Sequence, residues 1–254
     1  MPKLEISKIH DAYKEGGECP LCSLLDAVER IYLHSFQHSR VMEPNVRVQT
    51  NAKGFCPDHW NKLYQQENRL GTALMAHTHL VESRPRIVSR LESLRAEAHK
   101  ARGGRMRSRL PLSAKDGDVM DCAVRDLADS VDRCFLCDLL AMDRARYCFT
   151  VVYLWKKDPE FLPVYRSSRG FCVSHFLDVF AQARKALNRE DLALWLDETV
   201  PLMTASLERL EGEVEGFGKV HRYESTEPVG ETVRTALVRT LQKMAGRMFR
   251  PEGK

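Results

Sequence analysis

The chain has 254 residues, 43% of them hydrophobic and 29% charged, enough to bury a sizeable core as one large domain or two of ordinary size. No apolar run approaches the ~18 residues of a membrane span, and the charged segment Met1 to Glu18 lacks the apolar stretch of a secretory signal, so a cytoplasmic location is expected. The net charge of +4 is concentrated in one acid-free run, Lys100, Arg102, Arg105, Arg107 and Arg109, which leaves the rest nearly neutral and argues against a broad duplex-binding face.

In chain order, the first motif is Cys19-Pro20-Leu21-Cys22. Ser23 to Ile31 follows with apolar positions at helical spacing, which predicts a helix. Asn45 to Gln49 alternates weakly and is the one strand candidate. Gly54-Phe55-Cys56-Pro57-Asp58-His59 comes next, and Leu63, Leu70, Leu74 and Leu80 continue at helical spacing. Pro85 then starts a new helix or kinks a long one. The basic run contains Gly103-Gly104 and ends at Pro111. It has no interleaved aromatics, so it reads as a solvated linker over 101–118 rather than a nucleic-acid contact.

The same punctuation then returns. Cys134-Phe135-Leu136-Cys137 and Gly170-Phe171-Cys172-Val173-Ser174-His175 repeat the two motifs, and Pro201, Leu207 and Leu210 match Pro85, Leu91 and Leu94. The second motif and the residues downstream of it repeat at an offset of 116, while the Cys-x-x-Cys pair and Tyr32/Tyr147 repeat at 115. About eighty residues per copy fall in this register, which reads as internal duplication. Val229 to Met248 predicts a last amphipathic helix. The expected fold is therefore mainly α: an internally duplicated helical protein of two similar metal-tied lobes, residues 1–100 and 119–254, joined by the basic linker.

Three cysteines and one histidine per copy match the ligand set of tetrahedral zinc, with bonds of about 2.0–2.3 Å. The expected sites are Cys19, Cys22, Cys56 and His59 in the first copy, and Cys134, Cys137, Cys172 and His175 in the second. In the two copies 33 and 34 residues separate the motifs, a length that fits a helix running out and the chain returning. Both ligand turns precede helices, whose N-terminal N–H groups favour thiolates. Three thiolates, one neutral imidazole and a divalent ion sum to −1. Four protein ligands per site leave no position for a catalytic water, so two structural Zn²⁺ ions are expected. The alternative cofactor is an iron–sulfur cluster in an electron-transfer protein. Cys122 and Cys148, outside both sets, are expected as small buried hydrophobes.

The motifs resemble an uncharacterised bacterial family, a domain of unknown function. Its members carry CPLC near the N-terminus and GFCxxH downstream. The matching residues are Cys19 to Cys22, Asn51, Gly54 to His59, Asn68-Arg69-Leu70-Gly71 and Thr78-His79. The resemblance implies a bacterial metal-binding protein and carries no catalytic residue.

No nucleophile–base signature, phosphate loop or dinucleotide fingerprint is present. The expected function is a non-enzymatic interaction or scaffold protein with a protein partner. Where the copies differ, the first is richer in polar groups. Asn51, Asn68, His77 and His79 stand against Ser167, Arg184, Ala193 and Trp195. An enzyme with a polar site in the first repeat, formed by His79 with His10 and Asp11, is the less favoured reading. His77 and His79 cannot share one helix face.

Overall fold

The computed structural model describes residues 4–101, 114–222 and 230–249, and statements of absence refer to these. They form helices and turns with no strand among them, so the chain is mainly α. The helices are α1 (Ile6–Lys14), α2 (Pro20–Gln37), α3 (Pro44–Lys53), α4 (Pro57–Gln65), α5 (Arg69–Ala101) and α6 (Ala114–Asp132). They continue as α7 (Phe135–Lys157), α8 (Phe161–Arg166), α9 (Val173–Ala186), α10 (Arg189–Arg222) and α11 (Glu231–Ala245), and a 3-10 turn at Arg40–Met42 comes after α2. Pro85 and Pro201 lie inside α5 and α10, so each sits within one long helix and starts none. The expected linker at 101–118 falls largely outside the described residues, with α6 beginning at Ala114.

The chain divides into two compact units. One is discontinuous, Met1–Val28 with Leu140–Lys254, and the other is continuous, Glu29–Leu139. Both boundaries fall inside helices. Thus α2 begins in the discontinuous unit and ends in the continuous one, and α7 does the reverse.

The strand expected at Asn45 to Gln49 is instead part of α3. Pro44 occupies its first turn with φ preset for a helix, and Val46 and Val48 are too short an alternation to compete. Asn68 and Asn188 start the two long helices: Asn68 Oδ1 accepts from Gly71 N–H at 3.0 Å, and Asn188 Oδ1 from Asp191 N–H at 2.8 Å.

The discontinuous unit packs around aromatic rings. Tyr13 meets Phe161 at 4.9 Å and Tyr165 at 5.8 Å, and Trp195 stacks on Phe176 and Phe180 at 5.9 and 6.3 Å. Trp195 is fully buried, and its burial is worth at most about 4–6 kcal/mol at ~25 cal/mol per Å². Along α10 the buried face runs Trp195, Thr199, Ser206 and Leu210.

In the continuous unit, Phe36 packs on Phe55 at 5.4 Å and on Phe135 at 5.8 Å. The inward face of α5 carries Gly71, Met75 and Ser83, while Leu70, Leu74 and Leu80 are exposed despite their helical spacing. Close approach explains the glycine: a Cβ at Gly71 would lie 2.5 Å from the carbonyl oxygen of Gln37.

Candidate metal centres

All eight predicted ligands are drawn into two clusters that can each hold a metal ion. In the discontinuous unit they are Cys19, Cys22, Cys172 and His175; in the continuous unit, Cys56, His59, Cys134 and Cys137. Within each cluster the four ligand atoms lie within 4.8 Å of one another. The Sγ atoms of Cys22 and Cys172 are 3.7 Å apart, and those of Cys56 and Cys137 are 3.8 Å apart. Histidine Nδ1 stands 3.1–3.5 Å from the sulfurs around it. A tetrahedron with sulfurs about 2.3 Å from its centre has sulfur–sulfur edges of about 3.8 Å, so the donors fit a single tetrahedral ion.

The expected pairing within each copy is therefore corrected. The first Cys-x-x-Cys motif meets the second Cys-x-x-His motif, and the second Cys-x-x-Cys motif meets the first Cys-x-x-His motif. Helix α2 is the reason. From Cys22 to Glu29, whose carboxylate meets His59, it carries the chain about 10 Å along its axis, at 1.5 Å per residue. The return through the 3-10 turn and α3 is short. Arg47 of α3 donates to Thr78 Oγ1 at 2.5 Å and to the Leu74 carbonyl at 3.1 Å, anchoring that segment on α5. Within the continuous unit His59 Nε2 meets Glu29 Oε1, near the middle of α2, at 2.8 Å, and Cys134 and Cys137 open α7 beside it. The Phe135 N–H donates to the Gly54 carbonyl at 3.1 Å and joins the two ligand turns directly.

Four helix N-termini supply the ligands, as the motifs imply. Cys19 and Cys22 begin α2, Cys56 is the N-cap of α4, Cys134 precedes α7, and Cys172 is the N-cap of α9. The thiol of Cys172 accepts from the His175 N–H at 3.4 Å, and that of Cys134 from the Cys137 N–H at 3.4 Å. Such donors and the helix dipole stabilise thiolates. Gly54 and Gly170 precede the Phe-Cys step with φ of +64° and +68°, in the left-handed region that glycine occupies without strain.

Burial opposes charge on the histidines, but contact with thiolates prevails. His59 is pushed up to about 10, against burial, by Cys134 and Glu29. His175 is likewise pushed up to about 10, against burial, by Cys172 and Cys19. Burial raises Cys134, yet His59 and the backbone N–H groups of Cys137 and Cys56 bring it down to about 6. Cys22 is pushed up by Cys172 and Cys19, and Cys137 by burial and Cys134, so each cluster keeps protons that a metal ion would displace.

The clusters differ in their surroundings. All four ligands are buried in the discontinuous unit, whereas Cys137 is exposed and Cys56 partly exposed in the other. Glu29 Oε1 lies 2.8 Å from His59 Nε2, with Lys62 on the same carboxylate at 2.7 Å. A carboxylate behind a ligating imidazole fixes its tautomer, which leaves Nδ1 for the ion. The residue 115 positions on is Arg144, paired with Asp178 at 3.5 Å.

The discontinuous unit uses a different support. Lys243 of α11 is fully buried, and its Nζ donates to the carbonyls of Glu18 at 3.1 Å and Arg169 at 2.5 Å, just before the two ligand motifs. The buried Glu18 carboxylate receives Arg169 at 2.9 Å, Arg209 at 2.6 Å and Arg239 at 3.1 Å. Gly246 brings the end of α11 against the site: a Cβ there would lie 3.4 Å from Cys172 Sγ and would collide with Ser174 Oγ. Sequence reading missed Glu18, Glu29 and Lys243. For Glu29 a signal existed, an acid two helical turns from Cys22 on the face of Leu25 and Val28.

The other singled-out residues fall elsewhere. His10 Nε2 lies 2.9 Å from Asp158, within the discontinuous unit. His79 Nδ1 donates to the Asn51 carbonyl at 2.7 Å, within the continuous unit, so each has its own partner. Asn51 Oδ1 accepts from Thr78 at 2.6 Å, and His77 is exposed. Asn68 is a helix cap with a counterpart in Asn188, four residues from its expected register. Cys148 is buried as expected, but Cys122 is exposed on α6, with Arg125 3.2 Å from its sulfur. Of the basic run, Lys100 pairs with Glu97, and 102–109 lie outside the described residues.

No helix among the described residues is long and apolar enough to cross a membrane. The chain matches no curated protein and no solved structure. It belongs to a family of unknown function, DUF6062, whose model matches residues 2–251.

Proposed function

We propose that this family member is a cytoplasmic zinc protein, derived from an internally duplicated helical unit, in which two mononuclear Cys3His sites hold the fold for binding a protein partner. One observation carries this reading: in both clusters four ligand atoms from two separate helix-start turns converge within 4.8 Å. A complete donor set leaves no open position for substrate or water, which favours a structural over a catalytic role. The small ligand cage also favours a single ion over an iron–sulfur cluster, whose cysteines attach to separate corners of a larger body. The outward face of α5 supports the partner role, since Leu70, Leu74, Leu80, Val88 and Leu91 are all exposed there.

Metal analysis of anaerobically prepared protein tests the reading. Colourless protein with two zinc ions per chain, losing its helical circular dichroism on chelation, is expected. Iron with an absorption band near about 400 nm would replace zinc by a cluster. Metal-free protein with full helicity and an unchanged melting curve would remove the structural role.

A further inference from the structure

Beside the metal-ligand turn of the continuous unit lies a cleft of about 200 Å³, lined by Phe55, Trp60, His79, Ser83, Arg86 and Ile87. Its aromatic walls are fixed: Phe55 and Trp60 meet edge to face at 4.9 Å and 81°. The cations around it are unequal. Lys53 is taken by Asp138 at 2.5 Å and Arg90 by Asp126 at 2.7 Å, while Arg86 has no acidic partner among the described residues. The Nδ1–H of His79 is committed to the Asn51 carbonyl and is not available to an anion.

The second copy supplies an internal comparison. In the 116 register, His79, Arg86 and Ile87 are replaced by Trp195, Leu202 and Met203. There the space is filled: Trp195 is fully buried against Phe176 and Phe180, and Met203 Sδ accepts the Phe171 N–H at 3.2 Å under Gly170. These changes, with Trp60 in place of Phe176, separate a closed core from a cleft lined by a guanidinium without an acidic partner. Support of the fold alone accounts for the closed version and not for the open one.

We propose that this cleft binds a small aromatic carboxylate, its ring against Trp60 and Phe55 and its carboxylate on Arg86. The volume lies below the roughly 300–1,000 Å³ of drug-sized pockets and limits the ligand to a single ring. A bare inorganic anion leaves the aromatic walls uncovered, and a neutral ring leaves the guanidinium unpaired.

Benzoate is the probe, titrated into metal-replete protein while the Trp60 indole N–H signal is followed by NMR, assigned with Trp60→Phe. Saturable movement of that signal is expected. Benzyl alcohol and inorganic phosphate should each bind at least about tenfold more weakly, and Arg86→Leu should lose at least about tenfold in benzoate affinity. His79→Trp with Ile87→Met should refill the cleft and abolish binding. Should that pair fail to fold, Arg86→Leu, a change at an exposed position, decides alone. A Trp60 signal that does not saturate with benzoate, phosphate binding as tight as benzoate, or undiminished affinity in Arg86→Leu would overturn the site.

Discussion

The Sγ atoms of Cys22 and Cys172 lie 3.7 Å apart, although 150 positions separate them in the chain. Neither cysteine can therefore serve a metal without the other, and this coupling has a direct stoichiometric test. Cys22→Ser and Cys172→Ser should each lose one metal ion per chain, and so should the double variant. Cys22→Ser combined with Cys56→Ser should lose both ions. Pairing within each copy requires the opposite pattern, so elemental analysis of the two double variants distinguishes them.

Exposure should set the order of metal loss. The centre with Cys137 at the surface and Cys56 half-buried is open to a chelator, while the one with Cys19, Cys22, Cys172 and His175 is enclosed. Release to a chromophoric chelator should show two phases of one equivalent each, and Cys137→Ser should remove the fast one. A single two-equivalent phase would mean that the protein opens globally before either ion leaves.

Glu29→Gln keeps the shape and removes the charge behind His59. Metal affinity of the continuous-unit centre should fall about 10–100-fold, with the other centre unchanged, as measured by competition with a chelator of known affinity. Because Lys62 draws on the same carboxylate oxygen, Lys62→Met should have a smaller effect in the opposite direction.

Lys243→Met should destabilise the discontinuous unit by about 2–4 kcal/mol, because two buried carbonyls lose a charged donor. Chemical denaturation of the metal-loaded protein measures this. Lys243 Nζ bridges the entries to both ligand motifs, so the fully buried centre should also become accessible to chelator.

The eight residues that converge in the two clusters, and the helical class, were legible because each is a local signal: residue type at short spacing, and apolar residues at helical period. Pairing is not local. Duplicate motifs are chemically interchangeable, and closing a longer loop adds only about 0.6 kcal/mol per doubling of length, so nearness in sequence does not decide between them. What decides is tertiary contact: His59 meets Glu29, two turns along α2 from Cys22, and the Phe135 N–H holds Gly54 beside the start of α7. Glu18 and Lys243 were illegible for a related reason, since their meaning lies in contacts with residues 74 to 225 positions away. Asn51 and His79 were readable as copy-specific, but the carbonyl link between them depends on how α3 lies along α5.

The ligands of the two centres are nested like brackets: 19 and 22 open, 56 to 137 open and close, and 172 and 175 close. A chain emerging from the ribosome can complete the inner centre once residue 137 is free, while Cys19 and Cys22 wait as open thiols until residue 175 appears. The first cysteines made are thus the last to be satisfied. Through that interval they are exposed to oxidation or to capture of a stray ion.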